Sequence, residues 1–186
     1  IKDLEIKFEF KLSNYEKEED SRKINNYQSL INAYSESIVE EAKKNKKIVA
    51  LDGDLILDTG LINFEKEFPD RFIECGIAEQ DMVSQAGSFA TEGYIPIVHS
   101  FSSFLTSRPN EQIYNNSTEG TKIIYSGFLA GLLPGGPGHS HQAVRDIASM
   151  SGINNLEMIQ PNSEKQVKEF LNYSINSPNN IYLRFC

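Results

Sequence analysis

The residues able to do chemistry stand just after short apolar runs. Glu79 lies in 74-ECGIAEQDMV-83, where a glycine closes one run and small and apolar residues follow. An acid opening a helix is favoured by the helix dipole. With Ile77, Ala78, Met82 and Val83 around it, the same carboxylate is poorly solvated and suited to sharing a proton with a ligand nitrogen. Asp52 and Asp54 close another run, 48-IVALD-52, where paired acids either hold Mg²⁺ or cap a turn. His99 ends a third run, as a polar group at the site or as a core-edge histidine bonded to backbone. Phe101 and Phe104, three apart, share a helical face, which by spacing alone reads as core packing. His139 and His141 in 139-HSHQ-142 lack nearby carboxylates, which argues against a metal pair and for polar contact with a sugar or phosphate. Arg184, in the last apolar run, needs an anion from protein or substrate.

These residues need elements to hold them. Tyr27, Leu30, Ile31, Tyr34, Ile38 and Ala42 recur at helical spacing. Beyond them, strands are expected at 48–52, 71–75, 95–99, 122–126, 156–160 and 180–185. Helices are expected at 61–67, 78–91, 102–117, 141–150 and 164–175, the last opened by Ser163 with Gln166 three residues on. Short apolar strands alternating with helices imply crossover connections. The expected fold is α/β: a doubly wound, mostly parallel six-stranded sheet with helices on both faces. Ligand sites of such sheets lie at the carboxyl ends of the strands. The loops 52–60, 74–79, 99–104 and 126–141 are therefore the places to search. The stretch 127–138 holds five glycines but neither a Lys-Ser/Thr ending nor a dinucleotide spacing. A flexible loop and an active-site rim both fit it.

Residues 1–24, with 16-EKEEDSRK-23, read as a charged arm or linker, and 25–186 as one domain. A net charge of -8 argues against nucleic acid, and no apolar run is long enough to span a membrane. Cys75 and Cys186 lie far apart with no metal spacing, so a reducing, cytoplasmic setting is expected.

The stretch "RFIECGIAEQDMVSQAGSFATEGYIPIVHSFSSFLTSRPNEQI" resembles the pyrimidine-binding domain of transketolases and 1-deoxyxylulose-5-phosphate synthases, which depend on thiamine diphosphate. The likeness runs from about Ile48 to Arg184 and includes GIAEQ, the aromatic pair, the later His-Gln and "IQPNS" in the family's order. It implies that Glu79 hydrogen-bonds the ring nitrogen of the cofactor's aminopyrimidine and favours its imino tautomer. It implies that Phe101 and Phe104 stack on that ring, and that Asp54 lies near the cofactor and a dimer interface. His141 would face the substrate's oxygens, with a part in proton transfer or donor binding, and Arg184 the substrate's phosphate. Arg108, in "TSRPNEQ", matches an arginine of split-subunit relatives, with a substrate-binding or structural pairing role. In "GPGHSHQ", Pro137 stands where the family has an acid that contacts the donor sugar, and Ala143 where it has proline; His139 is an addition that could take part of the acid's role.

The resemblance further implies half of a site. Mg²⁺ and the diphosphate would be held by a second domain or subunit, in a homodimer or heterotetramer acting on a sugar or sugar phosphate. "LDGDLIL" does not read as that second domain's metal motif. The activity implied is transfer of a two-carbon ketol unit from a ketose to an aldose. Its rivals are 1-deoxyxylulose-5-phosphate synthesis, a 2-oxo acid dehydrogenase beta-type activity and a non-catalytic assembly module.

Overall fold

The computed structural model describes residues 29–132 and 137–186. The arm over 1–24, Tyr27 and positions 133–136 of the glycine-rich loop lie outside the described residues. The elements run α1 (Ser29–Lys44), β1 (Ile48–Asp52), α2 (Ile56–Thr59), α3 (Ile62–Glu67), a 3-10 turn (Pro69–Arg71), β2 (Phe72–Glu74), α4 (Glu79–Thr91) and β3 (Ile95–Phe101). They continue α5 (Ser102–Leu105), α6 (Asn110–Thr118), β4 (Ile124–Phe128), α7 (Asp146–Met150), β5 (Leu156–Ile159), α8 (Glu164–Asn176) and β6 (Asn180–Arg184). The six strands form one sheet in the order β2-β1-β3-β4-β6-β5, and every pairing is parallel.

Alternate strand residues serve the two faces, as strand geometry requires. Ile48, Ala50, Ile97, Phe101, Ile124, Phe128, Ile181 and Leu183 pack with Tyr34 and Ile38 of α1, Phe64 of α3 and Val167 and Leu171 of α8. Val49, Leu51, Val98, Tyr125 and Tyr182 pack on the other side with Met82, Val83 and Ala86 of α4, Ile113 of α6 and Met150 of α7. The four inner strands, buried on both faces, read as apolar runs, while the edge strands β2 and β5 are shorter and only partly buried. The helix capping expected at Ser163 is present: its Oγ accepts the Gln166 backbone N–H at 3.3 Å.

Three local differences matter to the site. The helix expected over 102–117 is two helices, with Thr106–Pro109 as the break between α5 and α6. Pro109 has no N–H to donate and disfavours helical geometry in the residue before it. Arg108 is therefore in the turn, and Phe101 is the last residue of β3 rather than a helical residue. The helix expected from 141 begins only at Asp146, because the chain before it is tied back by bridges from Ala143 to Ala130 and Gly131. A short helix, α2, fills part of the loop after β1, where none was expected.

Two glycines set the site's backbone. Gly76, at φ +68°, turns the chain between β2 and Glu79 in a conformation that side chains rarely adopt. Gly127 lets α5 lie directly against β4: a Cβ there would sit 2.6 Å from Ser102 Oγ and 2.7 Å from Tyr182 Cε2.

Candidate active site

Glu79 is the first residue of α4 and is only 4% exposed. The Arg108 Nη1 donates to its Oε1 at 2.5 Å. The guanidinium carbon lies 3.9 Å from the centre of the Phe104 ring, a cation on an aromatic face. Gln80, the next residue of α4, donates from Nε2 to the Arg108 carbonyl at 3.2 Å and so fixes the turn to the helix. Among the described residues, Glu79 Oε2 accepts no hydrogen bond.

The aromatic group continues from there. Phe101 and Phe104 have ring centres 5.7 Å apart. The His141 ring stands edge-on to Phe104 at 5.0 Å and lies 6.1 Å from Phe101. Its Nδ1 is 2.9 Å from Ser140 Oγ, and its backbone N–H closes a turn on Gly138. Glu79, Arg108, Phe104, Phe101 and His141 thus form one connected group, drawn from α4, β3, α5, the turn after it and the loop after β4. His139 is exposed in the turn just before His141.

Asp54 and Arg184 belong to separate networks. Asp54 sits at φ +63° after β1, and its backbone N–H donates to Glu74 Oε1 at 3.0 Å. The same oxygen accepts the Gly76 N–H at 2.7 Å, so Glu74 joins the loops that leave β1 and β2 just ahead of Glu79. Arg184 finds its anion within the protein. Its Nε donates to Asp146 Oδ2 at 2.6 Å and its Nη1 to Gln160 Oε1 at 2.5 Å. Tyr182 Oη donates to the same Asp146 oxygen at 2.9 Å. A substrate phosphate at Arg184 would have to share the guanidinium with Asp146. Glu74, Gln80 and Asp146 were missed in the sequence. The need of Arg184 for an anion was the one signal pointing toward Asp146.

Beneath the site lies a buried polar layer. The carboxylate of Asp52 caps α2, accepting the Leu55 N–H at 2.6 Å and the Thr59 hydroxyl at 2.8 Å. It therefore acts as a cap. Burial pushes its carboxyl up to about 6 against those two hydrogen bonds, with Glu74 and Asp54 adding to the rise. On the next strand its register partner is His99. His99 Nδ1 is 3.0 Å from the Leu51 carbonyl, which can only accept, so Nδ1 carries the proton. Nε2, 2.7 Å away, then accepts from the Tyr34 hydroxyl. Burial pulls the His99 imidazole down to about 4.

A three-layer parallel α/β domain with a buried acid, aromatic rings and a histidine at the carboxyl edge of its sheet is the architecture of a ligand-binding domain. Residues 27–186 match the family model described as transketolase, pyrimidine binding domain, and the chain belongs to that family. The chain is 35% identical over 161 residues to a putative transketolase C-terminal section of Methanocaldococcus jannaschii, covering 85% of this chain and 50% of that protein. It is 32% identical over 152 residues to 1-deoxy-D-xylulose-5-phosphate synthase of Natranaerobius thermophilus, covering 82% of this chain and 24% of that protein. A solved split gene transketolase, described as an inactive beta4 tetramer, superposes with a TM-score of 0.73 at 32% identity, covering 82% of this chain and 49% of that one. Transketolase from Leishmania mexicana superposes at 0.76 with 16% identity, covering 82% and 24%, a likeness of fold. The chain thus spans between about a quarter and a half of the curated relatives it matches.

Among the described residues no three His, Cys, Asp or Glu side chains converge on a metal position, and no helix is long and apolar enough to cross a membrane.

Proposed function

We propose that this chain is the pyrimidine-binding part of a thiamine-diphosphate-dependent, transketolase-like enzyme that moves a two-carbon ketol unit from a ketose to an aldose. One geometry carries the reading. A carboxylate 4% exposed faces a flat, donor-bearing group laid on the Phe104 ring. A guanidinium fills that place here, which supports a planar N–H donor between Glu79 and Phe104, as the aminopyrimidine's ring nitrogen is in the imino form.

When bound, the cofactor supplies the nucleophilic carbon and the electron sink for breaking a bond beside a carbonyl. Glu79 holds the proton at the ring nitrogen, in a setting poor in water. Phe101 and Phe104 orient the ring by stacking. His141, against both phenylalanines, faces the substrate's oxygens and holds or moves a proton there. His139, at the open side of the turn, adds a polar contact to the donor where Pro137 replaces an acid. Asp54 borders the cofactor and a subunit interface. Arg184 contributes to a substrate phosphate while keeping Asp146. The domain is 25–186, preceded by a charged arm over 1–24.

A diphosphate-binding domain or subunit would hold both Mg²⁺ and the diphosphate, in a homodimer or a heterotetramer in the cytoplasm. The split-gene architecture of the solved relative supports separate subunits.

A second reading is favoured by the match to the Natranaerobius enzyme: synthesis of 1-deoxyxylulose 5-phosphate, which begins by decarboxylating pyruvate. One assay separates the two. The assembled enzyme, with thiamine diphosphate and Mg²⁺, is given a ketose and an aldose, or pyruvate and an aldose phosphate. Ketol transfer without release of CO₂ is the expected result. Release of CO₂ from pyruvate with no ketol transfer would establish the second reading instead.

A further inference from the structure

Arg108 does two things at once that the proposed cofactor ring must also do. It gives an N–H to the buried carboxylate of Glu79, and it lies flat on Phe104 at 3.9 Å. Both contacts belong to one planar, delocalised group with five donors. The arginine is not locked into this position by anything else: its side chain is 40% exposed, and among the described residues its guanidinium donates to Glu79 alone. What is fixed is the backbone beneath it. Gln80 holds the Arg108 carbonyl, and the Arg108 N–H closes a turn on the Phe104 carbonyl at 2.9 Å. The side chain can swing outward from this turn without disturbing α4, α5 or the sheet.

We infer that Arg108 is an exchangeable occupant of the ring's place: in the empty site it substitutes for the aminopyrimidine on Glu79 and Phe104, and the cofactor must displace it to bind. The inference rests on the reading of Glu79 and Phe104 given above and adds a regulatory consequence to it. A buried carboxylate left without a partner is costly, and Arg108 removes that cost in the absence of ligand. The same contact competes with the cofactor. If only a tenth of the empty sites have Arg108 turned out, the apparent dissociation constant is raised about tenfold.

The test is calorimetric titration of thiamine diphosphate, with Mg²⁺, into the assembled enzyme and its Arg108→Met and Arg108→Lys variants. Thermal unfolding of each empty and loaded protein accompanies it. Arg108→Met is expected to bind the cofactor about tenfold more tightly, while its empty form melts lower than the wild type. Arg108→Lys keeps a charge for Glu79 but no flat group for Phe104, and is expected to fall between the two. Binding by Arg108→Met that is weaker than wild type, or equal to it, would overturn the inference. Weaker binding would make Arg108 a residue that holds the cofactor. If the Arg108→Met protein fails to fold, the Arg108→Lys titration decides by the same criterion. Absence of binding by the wild-type assembly would overturn the functional reading itself, a result separable from the others.

Discussion

Two arginines in this domain lie on phenylalanines in nearly the same way, at opposite edges of the sheet. Arg71, at the amino edge, has its guanidinium carbon 4.0 Å from the Phe68 ring centre; Arg108, at the carboxyl edge, lies 3.9 Å from that of Phe104. Their hydrogen bonds differ. Arg71 donates to the carbonyls of Ala42, Asn45 and Ile48, closing the end of α1 onto the start of β1. Those carbonyls have no competing ligand. Arg108 donates to one carboxylate that a small molecule could equally occupy. Stacking on an aromatic ring says little about whether an arginine is structural or exchangeable; the acceptor decides. The amino edge satisfies its polar groups with backbone. The carboxyl edge keeps a buried acid in Asp52, a buried acid in Glu79 and an arginine with spare donors.

The largest effect expected from that contrast is on turnover. Glu79→Ala in the assembled enzyme should lower turnover at least about a hundredfold, the usual scale for losing a group that handles a proton. The circular dichroism spectrum should keep its α/β shape. Near-normal turnover would remove Glu79 from the chemistry and leave the two edges functionally alike.

Next comes stability at the amino edge. Arg71→Met removes the donor shared by the carbonyls of Ala42, Asn45 and Ile48, of which Asn45 keeps the Ile48 N–H, and should destabilise the protein by roughly 2 kcal/mol, at about 1 kcal/mol for each carbonyl left without a donor. Arg108→Met should also lower the melting point, because it leaves the buried carboxylate of Glu79 without its partner, but bound cofactor should restore that loss and not the loss at Arg71. Thermal unfolding of both variants, empty and loaded, makes the comparison. A loss at Arg108 that the cofactor does not restore would mean that Arg108 is as structural as Arg71.

The buried layer at the carboxyl edge should be visible in the pH dependence of stability. The Asp52 carboxyl moves from 3.8 to about 6 on folding, so the folded protein binds the extra proton between those values. Stability from this group therefore falls as pH rises through that window, by on the order of 3 kcal/mol. His99 moves the other way, from 6.5 to about 4. The unfolded chain binds that proton first, so stability falls as pH drops through that second window, by a similar amount. The two trends oppose each other, and their sum is nearly flat between pH 4 and 6. Asp52→Asn can still accept from Leu55 N–H, and its amide can donate to the Thr59 hydroxyl, which then donates to the Leu55 carbonyl. The variant should melt higher at pH 8 than the wild type and show a melting point that climbs steadily from pH 4 to 6.5. A variant that melts lower at pH 8 would show that the ionised carboxylate stabilises the cap instead.

How much of this was legible in the sequence follows the same physics. The inner strands were, since a parallel strand covered on both faces is an apolar run whatever surrounds it, and the partly buried edge strands β2 and β5 followed from the alternation with helices. The break between α5 and α6 was not, because the helical period runs on through Arg108 although Pro109 interrupts the helix. Glu79, Phe101, Phe104 and His141 stand out by residue type and place, the resemblance implies their roles, and the fold brings them together. A structural pairing was among the roles expected for Arg108, but Glu79 as its partner was not legible, since the two are 29 residues apart and a spacing rule reaches only along one element. Arg184 was half legible: its need for an anion showed in the sequence, while the identity of Asp146 depended on the crossover that sets α7 beside β6.

The smallest effect is the most specific. Phe104 supports both the proposed ring and its proposed competitor, so removing it weakens two stacks that oppose each other. Phe104→Ala should therefore reduce cofactor affinity only about threefold in the wild-type background, where the loss to the ring is partly offset by the loss to Arg108. In the Arg108→Met background no competitor remains, and the same substitution should reduce affinity about tenfold. The difference between those factors is a coupling between Phe104 and Arg108 that a double-mutant cycle of calorimetric titrations measures directly. Equal factors in the two backgrounds would mean that the arginine and the cofactor do not contend for one face of Phe104.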